Sequence, residues 1–430
     1  MKNPKAFVKK LVKWGVIGLC GYGVLTTLVY GQDSTDEKTG VYHFSWSGLD
    51  ALFNEETFGF FTNKPVATPL QGLDGPYLID STQFDIDENS RLTRTPLDVR
   101  QPVQVRVPNA DRDSFTFMVR PTHPQPAQVY SLPARLLAIS DIEGNFNALA
   151  GFLQRNRVVD KQYNWIFGAG HLVLNGDFMD RGDEVTQVLW LLYKLEGQAA
   201  LAGGKVHFIL GNHEVMNLYG DVSYAQRKYI GAAQRISGEP RWDKAGQALY
   251  STRSEMGRWL RSKNVIEKIG PYVFVHAGLK PKLLTDSLTI PELNRIARKY
   301  YGQRAAQQLS GTREGTVLSH YDGPYWDRSL SLNLLYKAVF FFNDPLNASY
   351  HSTTQAELEQ ILRFYQASRV VVGHSVVSQV TPDYEGKVLK IDVKHGREKY
   401  SDQTQGLLIE NGAEYRVNGK GEKTRIGNAA

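Results

Sequence analysis

Five side chains with metal-binding donors recur in one local setting: Asp141, Asp177, Asn212, His276 and His374 each close a short apolar run. The runs are Leu136–Ser140, His171–Gly176, Val206–Gly211, Tyr272–Val275 and Arg369–Gly373. A lone aspartate after such a run is an ordinary turn former or cap. A carboxylate, amide or imidazole at all five ends points instead to a shared site. Oxygen and nitrogen donors suit manganese, iron or zinc rather than a soft thiolate centre. The only cysteine, Cys20, lies apart in the N-terminal apolar stretch, so neither an intrachain disulfide nor a multi-cysteine metal site is possible. Metal-assisted hydrolysis is the chemistry within reach of such donors.

Donors so far apart in sequence need elements that bring them together. Short apolar runs ending in polar or glycine-rich turns read as buried strands. Val185–Leu201 carries Val188, Leu191, Leu192 and Leu195 at helical spacing. Strands alternating with helices predict an α/β architecture, whose strand C-termini meet at one ligand-binding rim. Lys387–Val393, Gly406–Glu410 and Glu414–Val417 read as further strands, and 214–270 as a helical insertion without a strong strand. Upstream, Val103–Val107 alternates cleanly, Ser114–Val119 is similar, and a proline-rich break runs from Pro121 to Pro133. Residues 61–134 therefore read as a small β-rich module and 33–60 as an irregular stalk, leaving 135–425 for the main domain. His207, Tyr336–Phe342 and the segment Tyr224, Arg227, Lys228, Tyr229 read as structural: the first two as core, the last as a solvated helix face.

The local words are more specific. Gly176-Asp177-Phe178-Met179-Asp180-Arg181-Gly182, Gly211-Asn212-His213-Glu214, Val275-His276-Ala277-Gly278-Leu279 and Gly373-His374 resemble the motifs of calcineurin-like metallophosphoesterases of the phosphoprotein-phosphatase type. Gly211–Leu218 and Asp322–Arg328 are similar, more narrowly, to bacterial Shewanella-like phosphatases. The resemblance covers roughly residues 135–395. It implies a four-layer αββα sandwich holding two divalent metal ions, manganese first among manganese, iron and zinc. Asp177 would bridge the metals, with Asn212, His276 and His374 completing the second and Asp141 and position 143 on the first. His213 would be the general acid, oriented by Asp180. Arg181 and Arg328 would grip phosphate oxygens through the guanidinium fork.

The resemblance implies a phosphorylated substrate, first a protein carrying phosphate on Ser, Thr or Tyr. Nucleotides or small envelope phosphoesters, cleaved by a phosphatase or phosphodiesterase, are the alternative. An inactive metal-binding scaffold is a third reading, against which His213, Arg181 and Arg328 speak. One departure stands out: Glu143 occupies the place of a metal-binding histidine. Either it serves as an oxygen ligand and hardens the site, or the first metal is weakened. In both cases three nearby carboxylates repel each other without a cation.

Charge excludes one class. The chain has 430 residues and a net charge of +6, and Lys2, Lys5, Lys9, Lys10 and Lys13 supply five of those charges, leaving +1 for the rest. No basic patch of nucleic-acid-binding size is implied. The lysines precede an apolar run from Trp14 to Tyr30, which at 1.5 Å per residue reaches about 25 Å. Residues 1–32 thus read as a membrane anchor, with everything downstream on the extracytoplasmic side. The alternative is a cleaved signal peptide with Gly31 at the cut, which would leave the chain secreted.

Overall fold

The computed structural model describes residues 4–30, 32–46, 58–331 and 351–426. Helix α1 (Pro4–Tyr30) contains most of the lysine cluster and the apolar run, and exposes Leu11, Trp14, Leu19 and Leu28. Gly15, Gly18, Gly21, Gly23 and Thr26 dilute the run. No helix among the described residues is long and apolar enough to cross a membrane.

Strands β1 (Gln32–Thr35), β2 (Val41–Trp46) and β3 (Phe58–Pro65) pair into an antiparallel sheet. This corrects the expectation of an irregular stalk over 33–60. Val41, Tyr42, Phe44 and Trp46 are strand-favouring residues. The Asp36 carboxylate accepts the N–H groups of Lys38 and Thr39 at 2.8 and 3.2 Å and turns the chain between β1 and β2.

Next come β4 (Asp74–Ile79), β5 (Thr82–Ile86) and β6 (Leu92–Pro96) in one antiparallel sheet, and β7 (Val103–Arg106) with β8 (Ser114–Phe117) in another. Val103 and Val105 point inward while Gln104 and Arg106 face out. These strands share the hydrophobic core of the rest of the chain. Phe117 stacks on Trp190 with ring centroids 4.3 Å apart and meets Tyr193 edge-on at 5.3 Å.

The remaining strands are β9 (Val129–Tyr130), β10 (Arg135–Ile139), β11 (His171–Asn175), β12 (Lys205–Ile209), β13 (Ile266–Ile269), β14 (Tyr272–Val275), β15 (Arg369–Val372), β16 (Thr381–Asp383), β17 (Val388–Lys390), β18 (Gln405–Glu410), β19 (Ala413–Asn418) and β20 (Lys423–Arg425). They build two six-stranded sheets, ordered β12-β11-β10-β18-β19-β20 and β16-β17-β15-β14-β13-β9. Strands β10, β11 and β12 run parallel, as do β14 and β15. The period of two puts alternate residues on opposite faces. Leu136, Ala138, Val173 and Ile209 therefore face Phe274, Val371 and Leu389 in an apolar layer between the sheets. The other faces are covered by helices: α2 (Phe146–Arg155) and α3 (Val185–Leu201) lie over the first sheet, and later helices over the second. The layers are thus αββα. At the site end the buried Asn175 amide donates to the carbonyls of Val275 and Val371, at 3.0 and 3.4 Å, tying one sheet to the other.

Helices α4 (Asn212–Tyr219), α5 (Arg227–Ser237), α6 (Trp242–Leu249) and α7 (Glu255–Arg261) form the helical insertion. It ends before 270, because β13 already begins at Ile266 and pairs with β14. Glu267 and Lys268 disguise that strand. The Glu267 carboxylate is buried against His207 Nδ1 at 2.6 Å, and His207 Nε2 meets His171 Nδ1 at 2.9 Å, so His207 is a satisfied core residue. The solvated face expected for Lys228 and Tyr229 is corrected: both are buried, with Tyr229 Oη accepting from the Val185 N–H at 2.8 Å and Lys228 Nζ donating to the Asp183 carbonyl at 2.5 Å. Helices α8 (Pro281–Thr285), α9 (Ile290–Tyr300), α10 (Arg313–Leu318) and α11 (Gln355–Phe364) follow among the described residues. Tyr336–Phe342, read as core, lie outside the described residues.

Candidate active site

The loops after β10, β11 and β15 bend sharply to aim their side chains. Asp141, Glu143, Asp177, Asp180, Arg181 and His374 all have positive φ, between 48° and 68°. Each such non-glycine residue costs on the order of 1 kcal/mol or more, and clustering of such strain is typical of functional sites. Main-chain hydrogen bonds hold the first two loops together: Asp141 N to Gly176 O at 2.9 Å, Glu143 N to Asp177 O at 3.0 Å and Gly144 N to Phe178 O at 2.9 Å. The buried Glu214 carboxylate locks the second loop to the third. Its Oε1 accepts the N–H groups of Phe178 and Met179 at 2.8 and 3.2 Å, and its Oε2 those of Asp177 and Gly211 at 2.9 and 2.8 Å. Sequence reading gave Glu214 no role. Its signal was a glutamate three residues into a helix, the capping-box position. Two glycines make room: a Cβ at Gly211 would lie 2.2 Å from Asp177 Oδ1, and one at Gly373 would lie 2.4 Å from Asp141 Oδ2.

The geometry brings four of the sequence-derived ligands to one point. His276 Nδ1 lies 2.8 Å from the Asn175 carbonyl, which can only accept, so this nitrogen carries a proton. Its Nε2 then faces Asp177 Oδ2 at 3.0 Å, Asn212 Oδ1 at 3.2 Å and His374 Nδ1 at 3.2 Å. Candidate ligand atoms of Asp177, His276 and His374 all lie within 4.8 Å of one another, and all three residues are buried. The His374 backbone N–H reaches both Asp141 carboxylate oxygens at 3.2 Å, which draws the fifth residue in. So many acceptors around one nitrogen need a proton or a cation between them. Burial disfavours the Asp177 carboxylate, yet the imidazoles of His276 and His213 outweigh it and hold its pKa well below the usual range. Asp141 is pushed well up by burial, then by Asp392 and Asp177. His374 is held well below its ordinary value by burial, Arg328 and His276, which keeps its imidazole neutral, as metal coordination requires. Donor chemistry, burial and crowding all fit a divalent cation.

Beside this cluster lies a histidine–carboxylate pair. His213 Nδ1 bonds Asp180 Oδ2 at 2.7 Å, and the Asn217 amide holds Asp180 Oδ1 at 2.9 Å. His213 Nε2 is 3.8 Å from Asp177 Oδ2. Burial works against the His213 imidazolium, but Asp177 and Asp180 prevail and raise its pKa. Arg328 Nη1 donates to the His374 carbonyl at 2.7 Å and to Ser375 Oγ at 2.9 Å, so its guanidinium stands at the cluster. Arg181 lies over the Tyr224 ring at 5.4 Å, and the same ring meets His213 edge-on at 5.0 Å. Tyr224, read with its helix as solvated, thus borders the site.

Glu143 is placed differently from the other ligand candidates. Its carboxylate forms an ion pair with Arg181 rather than joining Asp177, His276 and His374. The left-handed backbone at position 143 and its bond to the Asp177 loop bring the two opposite charges together. Sequence reasoning missed Asp392. It is buried, and its pKa is pushed up to about 7 by burial, with His276 opposing and Asp177 adding. Asp392 lies just past β17 because that strand ends at Lys390; the longer strand expected over Lys387–Val393 places it inside the run.

Glu214→Gln should lower stability by at least about 3 kcal/mol, since its amide would turn N–H groups against N–H donors. Chemical unfolding followed by circular dichroism measures this. A loss below about 1 kcal/mol would show that Glu214 does not hold the loops.

The model of the calcineurin-like phosphoesterase family matches residues 134–378. Shewanella-like protein phosphatase 1 of Plasmodium berghei is 28% identical over 241 residues, covering 56% of this chain and 61% of that protein. Shewanella-like protein phosphatase 2 of Arabidopsis thaliana is 36% identical over 99 residues, covering 23% of this chain and 25% of that one. The chain therefore spans less than two thirds of the length of these curated relatives. The crystal structure of a cold-active protein-tyrosine phosphatase from a psychrophilic Shewanella species is similar with a TM-score of 0.67 at 29% identity, covering 83% of this chain and 99% of that one. With more than half of its sequence matched and its motif side chains gathered at one rim, the chain belongs to the calcineurin-like phosphoesterase family.

Proposed function

We propose that this chain is a dinuclear-metal phosphomonoesterase acting on phosphorylated Ser, Thr or Tyr side chains of proteins. The observation that carries the reading is the meeting of Asp177, Asn212, His276 and His374 around one point, with the His213–Asp180 pair beside it. Those four residues would hold one cation, and Asp141 with Asp177 the other. Two bound divalent ions, manganese first among manganese, iron and zinc, would lower the pKa of water and neutralise phosphoryl charge. Arg181 and Arg328 would bind the non-bridging oxygens. His213, held through Nδ1 by Asp180, presents Nε2 to the leaving oxygen and gives it a proton. Support for a protein substrate comes from the relatives, which bear the names of protein phosphatases.

Residues 1–32 are proposed to attach the chain to a membrane, with the catalytic domain on the extracytoplasmic side. The lysine cluster and the exposed apolar side chains of α1 support this. Deleting the segment should move the protein from the membrane pellet to the soluble fraction, and unchanged fractionation would reject attachment through it.

His213→Ala should lower kcat on alkyl phosphates by about 10²–10⁴-fold and on aryl phosphates far less, because phenolate leaves without help. Equal losses on both would give His213 another job. Asp180→Asn tests its partner. The Asp180 charge favours the imidazolium, so removing it lowers the His213 pKa. The limb on which kcat falls with rising pH should then move to lower pH. A limb that stays put, or moves up, would detach Asp180 from the acid.

A further inference from the structure

We infer that the first cation position is an all-carboxylate site completed by Asp392, which fills the place that Glu143 leaves, and that it takes a hard divalent cation such as Mn²⁺ or Mg²⁺. The inference rests on the dinuclear reading above. Glu143 is engaged by Arg181, so one oxygen ligand expected at this position is turned away. Asp392 is 4% exposed and, together with Asp141, Glu143 and Arg181, lines a cleft of about 600 Å³ at the strand rim. Among the described residues no N–H or O–H donates to its carboxylate, and no Lys or Arg forms a salt bridge with it. A buried carboxylate in that position ordinarily has several donors. Its electrostatic surroundings include Asp141 and Asp177 as well as His276, Arg328 and Arg181.

Asp141 and Asp392 therefore line one cleft from two separate strand ends, with Asp177 in the charge environment of both. Oxygen-only sets favour magnesium, calcium or manganese, whereas the imidazole-rich set around His276 suits zinc or iron as well. The two positions are chemically unlike. A largely buried carboxylate that opens to a cleft beside a second one, with no donor from the described residues, is costly without a cation and well placed with one.

The test uses the full-length chain, stripped with chelator and titrated with MnCl₂ by calorimetry, with bound metal counted by mass spectrometry. The wild type should bind two Mn²⁺ per chain. Asp392→Asn should keep one and weaken the other by at least about 100-fold, since even losing a partner outside the ligand set costs 10–100-fold. Glu143→Gln should still bind two. Metal-free Asp392→Asn should melt at or above the wild-type temperature, because a repulsive charge has been removed. Two Mn²⁺ bound to Asp392→Asn at wild-type affinity would overturn the inference and leave the dinuclear reading standing, as would a cation lost from Glu143→Gln. An Asp392→Asn chain unfolded without metal would also overturn it, by showing that the carboxylate holds the fold rather than a cation. A wild type that binds no Mn²⁺ would overturn both readings.

Discussion

The Glu214 carboxylate accepts backbone N–H groups from Asp177, Phe178, Met179 and Gly211, and the geometry of the whole site depends on that knot. Asp177, Asp180 and Arg181 sit in left-handed backbone that a free loop would abandon. Four charge-assisted bonds to one buried anion offset that strain and fix the loop after β11 against the start of α4. The same four bonds set the spacing between Asp177, a candidate ligand, and His213, a candidate acid, because the His213 N–H also donates to Asp177 Oδ1 at 3.0 Å. The local rule is a helix cap, and its consequence is the spacing of the two candidates.

The sandwich adds the second constraint. His276 and His374 come from one sheet, while Asp141, Asp177 and Asn212 come from the other. Only the packing of the two sheets sets the gap between them. The Asn175 amide bridges the sheets at this end, and the carbonyl of the same residue fixes which nitrogen of His276 is free. The apolar layer thus acts on the chemistry through a few polar contacts at its rim. A cation that binds the folded state alone would stabilise the arrangement further, since binding to the native form draws the equilibrium toward it.

Strands and their terminal donors were legible in the sequence because burial on both faces produces unbroken apolar runs, as in Leu136–Ile139 and Val370–Val372. The αββα layering followed from the motifs. What escaped had tertiary causes. β13 carries Glu267, a buried charge made tolerable by His207 and Asn264, and no local pattern announces such partners. The inward turn of Lys228 and Tyr229 depends on Asp183 and Val185 at the start of α3. Glu214 stands inside the Gly211–Glu214 motif, but its four donors are visible only once the loops are folded. Asp392 is hidden inside an apolar run that reads as strand through Val393, and only the early end of β17 at Lys390 exposes it as a strand-end carboxylate.

The replacement of histidine by Glu143 reaches further than one ligand. Glu143 pairs with Arg181, Arg181 lies over Tyr224, and Tyr224 packs against His213, so the departure from the family pattern touches the proposed acid through two intermediates. Groups in contact share their energies, and substitutions among them do not add. An arginine held by a carboxylate offers less of its charge to phosphate, and a phosphate that competes for it must displace the glutamate. If Arg181 grips phosphate as proposed, affinity at this rim is a difference between two ion pairs, one internal and one with the ligand. Both partners of the internal pair are partly exposed, at 49% and 27%, so solvent screens it and its rupture is cheap. A weak clasp of this kind would orient Arg181 in the unliganded protein while leaving it able to turn toward a dianion.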